Sequence, residues 1–182
     1  EGKSATVAVN KLVKTLTDRT ELSLNWRYNH LPNQVHMTTP FITLYQGLSH
    51  GFADFQNPAF SSYQEYQAYG GYQSLIDHFS KRAKKYGMNG EIPGRMLRRL
   101  AFTLIDDGHS PEAIKLLEPH VHKNPESIRD LNALAEAYEA IKPDAALDIY
   151  RRSLAVAKKR NIANGISFAQ RQIDRLEKAD KD

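Results

Sequence analysis

Gly47-Leu48-Ser49-His50-Gly51 spells the Gly-x-Ser-x-Gly string in which a serine on a tight strand-to-helix turn attacks an acyl group. Asp107 and His109 follow it in the chain order of an acid and a base. That chemistry needs a buried strand before the serine and parallel neighbours to hold it. Only one strand-like segment precedes Ser49, and its neighbours keep helical spacing from Phe41 to Phe55, so the string is expected on a helix and Ser49 without a catalytic role. His120 and His122 suggest a metal pair, but residues two apart on a helix face different ways and cannot share one ion. His30, His50, His78 and His109 fall at no ligand spacing, and there is neither a phosphate loop nor a dinucleotide fingerprint, so no metal and no cofactor is expected. The histidine left for chemistry is His36, in a loop between a strand-like segment and a helix.

The elements that would position His36 lie in residues 1–57. Val7, Val9, Leu12, Val13 and Leu16 predict an amphipathic helix over residues 4–19. Leu22, Leu24, Trp26 and Tyr28 then alternate with Ser23, Asn25, Arg27 and Asn29, which predicts a strand over 22–29 with one apolar face. A single strand must pair with a sheet outside these residues or with a second copy of the chain. A loop with Pro32 and Asn33 leads to His36, and Pro40 suits the first turn of a helix carrying Phe41, Leu44, Tyr45, Leu48, Phe52 and Phe55. Asn57-Pro58 ends it.

The rest of the chain reads as helices. Residues 58–93 connect, with a Tyr- and Gln-rich stretch broken at Gly70-Gly71 and a helix from Tyr72 carrying Leu75, Ile76, Phe79, Ala83 and Tyr86. From residue 94 a repeat appears: Leu97, Leu100, Ala101 and Leu104 recur 34 residues later as Leu131, Leu134, Ala135 and Tyr138. Each set opens a helical hairpin, over about 94–125 and 127–160. The second helices carry Ala113, Leu117 and Val121, then Ala146, Tyr150 and Leu154, and a last helix from Ile162 to Leu176 caps the array. The hairpins resemble tetratricopeptide repeats, although Leu97 and Leu131 stand where that family has Trp and no Pro closes the second unit. The resemblance implies a peptide-binding, packing or dimerisation role for residues 94–179.

Composition limits the partners. Twenty-five basic against 21 acidic residues leave a net charge of +4, modest for 182 residues. The clusters Lys81, Arg82, Lys84, Lys85 and Arg95, Arg98, Arg99 read as solvated helix faces, since no RNA-binding aromatic motif accompanies them, and a nucleic-acid partner is not expected. No apolar run approaches the roughly 20 residues of a membrane span. With no cysteine there is no disulfide, thiol nucleophile or zinc-thiolate site, and a bacterial cytoplasm or periplasm fits equally. The opening Glu1-Gly2-Lys3, without Met or a signal pattern, leads to the expectation of a piece of a longer chain.

The order helix, strand, loop with His, helix is how an α/β-hydrolase domain closes. Leu24-Asn25-Trp26-Arg27-Tyr28, Leu31-Pro32-Asn33-Gln34-Val35-His36, and Pro40 through Leu44-Tyr45-Gln46-Gly47-Leu48 resemble the C-terminal end of the esterase family that includes esterase D and siderophore-lactone esterases. Bacterial members of that family often carry helical repeats after the hydrolase domain. Gln34 departs from the pattern, in which an acidic residue is common. The resemblance implies a mainly helical chain in which residues 1–57 are a helix-strand-helix remnant of an α/β-hydrolase domain. It implies further that His36 is the general base of a serine esterase whose ester substrate meets a nucleophilic Ser upstream of the chain, with Glu1 near the place of the acid. The chain alone is then expected to be inactive. The alternative is a repeat-based interaction module, self-associating through strand 22–29, without catalysis.

Overall fold

The computed structural model describes residues 2–19, 24–32, 34, 35 and 37–179. The chain divides into two compact units, Glu1–Gln56 and Asn57–Asp182. The structure is mainly helical, and no strand occurs among the described residues.

The first unit contains α1 (Gly2–Asp18), α2 (Thr39–Gly51) and a 3-10 turn, Ala53–Phe55. Residues 24–29, the described part of the strand expected over 22–29, have no regular structure; Leu22 and Ser23 lie outside the described residues. The alternation of Leu24, Trp26 and Tyr28 is there, but a strand exists only where a neighbour takes up its backbone donors and acceptors, and no described residue does so. The order is therefore helix, irregular segment, helix. Pro40 stands in the first turn of α2, where a missing N–H costs nothing. No described side chain of α1 is buried, nor is any residue of α2.

The second unit runs through α3 (Tyr63–Ala68), α4 (Gly71–Tyr86), α5 (Gly94–Asp106), α6 (Ser110–Lys123), α7 (Ile128–Glu139), α8 (Pro143–Lys159) and α9 (Ala163–Ala179). α3 starts because Ser62 accepts from the Glu65 N–H, while the Glu65 carboxylate accepts from the Ser61 N–H at 2.8 Å. That bond holds the Glu65 carboxyl below its ordinary range. Between α5 and α6 the chain reverses at Gly108, whose φ of +79° a side chain would oppose, and the His109 N–H reaches back to the Leu104 carbonyl at 2.7 Å. After α8 the same reversal uses Asn161 at φ +53°, asparagine being among the few side chains that tolerate it.

Consecutive helices from α5 to α9 pack on one another, and α5 also reaches α7. The eight residues of the 34-residue echo form the seam: seven are buried and Tyr138 is half-buried. α7 packs on α5, α6 and α8, and its sequence shows how. Ala133, Ala135 and Ala137 are fully buried beside Leu131 and Leu134, so small side chains let neighbouring helices approach from several directions. Ala113, Leu116, Leu117 and Val121 complete the core from α6, and Ile149 and Tyr150 from α8. The connecting segment is tied in as well: Phe60 meets Tyr66 and Tyr69 edge-on, and Tyr63 stacks on His109 with ring centroids 3.5 Å apart.

Candidate functional site

His36 and Glu1, the residues the sequence marks as base and candidate acid, lie outside the described residues. Gln34, Val35, Thr38 and Thr39 are bonded to one another. The Thr38 and Thr39 N–H groups both donate to the Val35 carbonyl at 3.0 Å, folding the loop onto the start of α2. Thr38 Oγ1 donates to Gln34 Oε1 at 3.0 Å and accepts from the Val35 N–H at 3.3 Å. Gln34, the departure from the esterase pattern, is thus bonded to Thr38, a partnership that spacing alone does not disclose. Further back, Asn29 Nδ2 donates to Gln46 Oε1 at 2.9 Å, joining the irregular segment to α2.

Ser49 sits in the last turns of α2, on helix rather than at a strand-to-helix turn, as its flanking periodicity predicts. Its supposed partners are occupied elsewhere. Asp107 accepts the Tyr63 N–H at 2.6 Å, and His109 lies against the Tyr63 ring.

The densest ionic cluster matches no sequence motif. Asp130, buried at the start of α7, accepts from Arg98 of α5 and faces His120 Nε2 of α6 at 3.3 Å. One carboxylate thus ties α5 to α7 beside His120 of α6, and its burial is sustained by the Arg98 guanidinium. His120 also rests against Gly94: a methyl group placed on Gly94 would come within 2.5 Å of its Nε2. His122 points elsewhere and lines a groove with Glu118 and Arg152, so the two histidines are apart, as two-residue spacing on a helix requires. The sequence signal for Asp130 is its place immediately before Leu131, at the edge of the buried stripe.

The expectation of solvated basic faces holds for Lys81, Lys84 and Lys85 and fails at two positions. Arg82 is buried, with Nη1 donating to Asn57 Oδ1 at 2.7 Å and its guanidinium 4.3 Å from the Phe79 ring centre. Arg98 belongs to the Asp130 cluster. Arg95 and Arg99 remain exposed.

A second polar network joins α7, α8 and α9. Glu139 accepts from the Tyr150 hydroxyl at 2.8 Å and from Arg175 Nη2 at 2.6 Å. Burial, then the bond to Glu139, drives the Tyr150 phenol far above its ordinary range, so it stays a neutral donor. Tyr138, bonded to Glu118, is pushed up to about 12, and Tyr66 is raised to about 12 by burial. Glu136 is raised above the carboxylate range by burial, with Glu139 and Asp106 adding to it. These groups hold helices together; none is a poised acid or base beside a nucleophile. No cluster of three or more metal-ligating side chains occurs among the described residues, and none of their helices is long and apolar enough to cross a membrane.

Compared with known proteins, the chain matches no family profile, no curated protein and no solved structure.

Proposed function

We propose that residues 1–57 are the closing segment of a serine esterase of the α/β-hydrolase type, in which His36 is the general base. The supporting observation is the arrangement of the described residues between 24 and 51: an alternating apolar-polar segment, the bonds that join Gln34 and Val35 to Thr38, and a helix whose aromatic face is bare. Phe41, Leu44, Tyr45 and Leu48 are each more than half exposed. Such a stripe is unfavourable in water unless a sheet covers it, and a hydrolase sheet would also pair residues 24–29.

In that reading the parent protein supplies the nucleophilic serine, the acid and the oxyanion donors. His36 takes the proton from the serine hydroxyl as it attacks the ester carbonyl, then returns it to the departing alcohol. It next activates the water that releases the acid from the acyl-enzyme. Residues 94–160 are, in the same proposal, two tetratricopeptide-like hairpins closed by α9; the burial of the echoed positions and the approach of α5 to α7 support this.

The test is hydrolysis of p-nitrophenyl acetate by the protein expressed together with its upstream coding region. Saturable turnover that His36→Asn reduces about 10⁴-fold is expected, with no turnover by the 182-residue chain. Turnover indifferent to His36 would overturn the assignment. A longer protein without esterase activity would leave the repeat-based interaction module, its self-association readable by sedimentation.

A further inference from the structure

A cavity of about 340 Å³ lies within the second unit, between residues 57–60 and the first turns of α5. Its apolar lining includes Phe60, Met96 and Leu100, and its polar side chains are Asn57, Arg95 and Arg99. The lining is one-sided: it contains two guanidiniums and a carboxamide, and no carboxylate.

The polar groups are set up to donate. Asn57 Oδ1 is taken by Arg82 Nη1 at 2.7 Å, which leaves the amide nitrogen as the group Asn57 can offer. Arg82 itself is buried and places a further cation behind that wall. Arg95 and Arg99 are one helical turn apart, hence on one face of α5, and neither side chain makes an ion pair among the described residues. Both sit in the first half of a helix whose amino end carries partial positive charge, so an anion gains from dipole and guanidinium alike. The apolar wall is fixed too: Phe60 is held edge-on by Tyr66 at 5.7 Å and Tyr69 at 5.3 Å. Guanidiniums in pairs grip planar or tetrahedral oxyanions by parallel N–H bonds.

We infer that this cavity binds a small amphipathic anion, a carboxylate or phosphate monoester on an apolar tail, with the oxyanion on Arg95 and Arg99 and the tail against Phe60 and Met96. The inference stands on the second unit alone and does not depend on the esterase reading.

The full chain contains three methionines, which makes a direct test available. With 13C-labelled methionine methyls, hexanoate and hexyl phosphate are each titrated and the resonances followed. The Met96 methyl, in the wall, should shift saturably with a Kd on the order of 1 mM, as suits so small a ligand, while Met88, in the same unit and outside the lining, stays still. A response to hexanoate alone assigns a carboxylate, and to hexyl phosphate alone a phosphate ester. Hexanol, with the same tail and no charge, should bind at least about tenfold more weakly. Arg95→Gln with Arg99→Gln, both exposed positions, should weaken the anion at least about tenfold without altering the circular dichroism. The proposal is overturned if Met96 ignores both anions at tens of millimolar, if hexanol matches them, if Met88 moves with Met96, or if the double variant binds unchanged.

Discussion

α2 and α7 are nearly equal in length, and α2 is the more apolar, yet α7 is the buried one. α2 carries Phe41, Ile42, Leu44, Tyr45 and Leu48 in thirteen residues and buries none. α7 has twelve residues, several of them alanine, and buries Leu131, Ala133, Leu134, Ala135 and Ala137. Apolar content thus does not decide burial. What decides it is whether the chain brings another element against the stripe, and the 34-residue repeat does so by making each hairpin complementary to the next. The first unit has the stripe without the complement.

The strongest way to break that comparison is to delete equivalent atoms in each region. Leu104, fully buried in α5, should lose about 3 kcal/mol on Leu104→Ala, the transfer of its methyl groups plus the cavity left behind. Leu48→Ala in α2, at a position 52% exposed, should change stability by no more than about 0.5 kcal/mol. Urea denaturation followed separately at a probe in each unit measures both. A loss of similar size at Leu48 would mean that α2 has a partner in solution.

Asp130→Ala comes next. It leaves Arg98 and His120, both mostly covered, facing a hole where a carboxylate was, and should cost about 2–3 kcal/mol. Since the carboxylate joins α5, α6 and α7, hydrogen exchange should quicken in all three helices. Quickening confined to α7 would show that the cluster does not couple them.

The repeat is legible in the sequence because helix-on-helix contact imposes a fixed distance between buried positions, and Leu97 to Leu131 carries that distance in the chain. The Asp130 cluster is not legible there. Arg98 and His120 belong to motifs that look complete by themselves, a basic run and a histidine pair, and only the packing of three helices brings them to one carboxylate. Arg82 misleads for the same reason: its neighbours Lys81, Lys84 and Lys85 suggest solvent, while its own place on α4 turns it toward Phe79 and Asn57. At residues 24–29 the alternating pattern is present and the element is not, because a strand is a property of at least two segments. Position 36 is marked by order along the chain alone, and the bond between Gln34 and Thr38 is visible only in three dimensions.

Gly94→Ala sharpens the account of the cluster at smaller cost. In an open helix the change would stabilise, since alanine is the better helix former. Here the added methyl would meet His120 Nε2, which Asp130 holds in place, so a loss of about 1 kcal/mol is expected. In a His120→Ala background the loss should vanish or reverse. A double-mutant cycle measures this, and additivity of the two changes would show that His120 moves aside freely.

The smallest effect is also the one whose sign is least obvious. Glu136 of α7 is raised above the ordinary carboxylate range by burial, then by Glu139 and Asp106, with Arg175 opposing. The folded chain therefore holds this proton more tightly than the unfolded chain. The stability it contributes is complete below the unfolded value and is lost as pH rises through the raised folded value. Glu126 runs the other way: Lys159 and Arg160 lower it, so its contribution is present at neutral pH and lost as pH falls through the lowered value. Glu136→Gln should thus raise stability at pH 7 by a few tenths of a kcal/mol, discounted because the side chain is only half-covered. It should also flatten the decline that sets in as pH rises above the ordinary glutamate value, while the decline in acid, to which Glu126 contributes, persists. Urea denaturation across that range reads both slopes. A glutamine variant less stable at pH 7 would mean that attraction to Arg175 outweighs the crowding, and that α7 uses this carboxylate to fasten α9 rather than merely tolerating its burial.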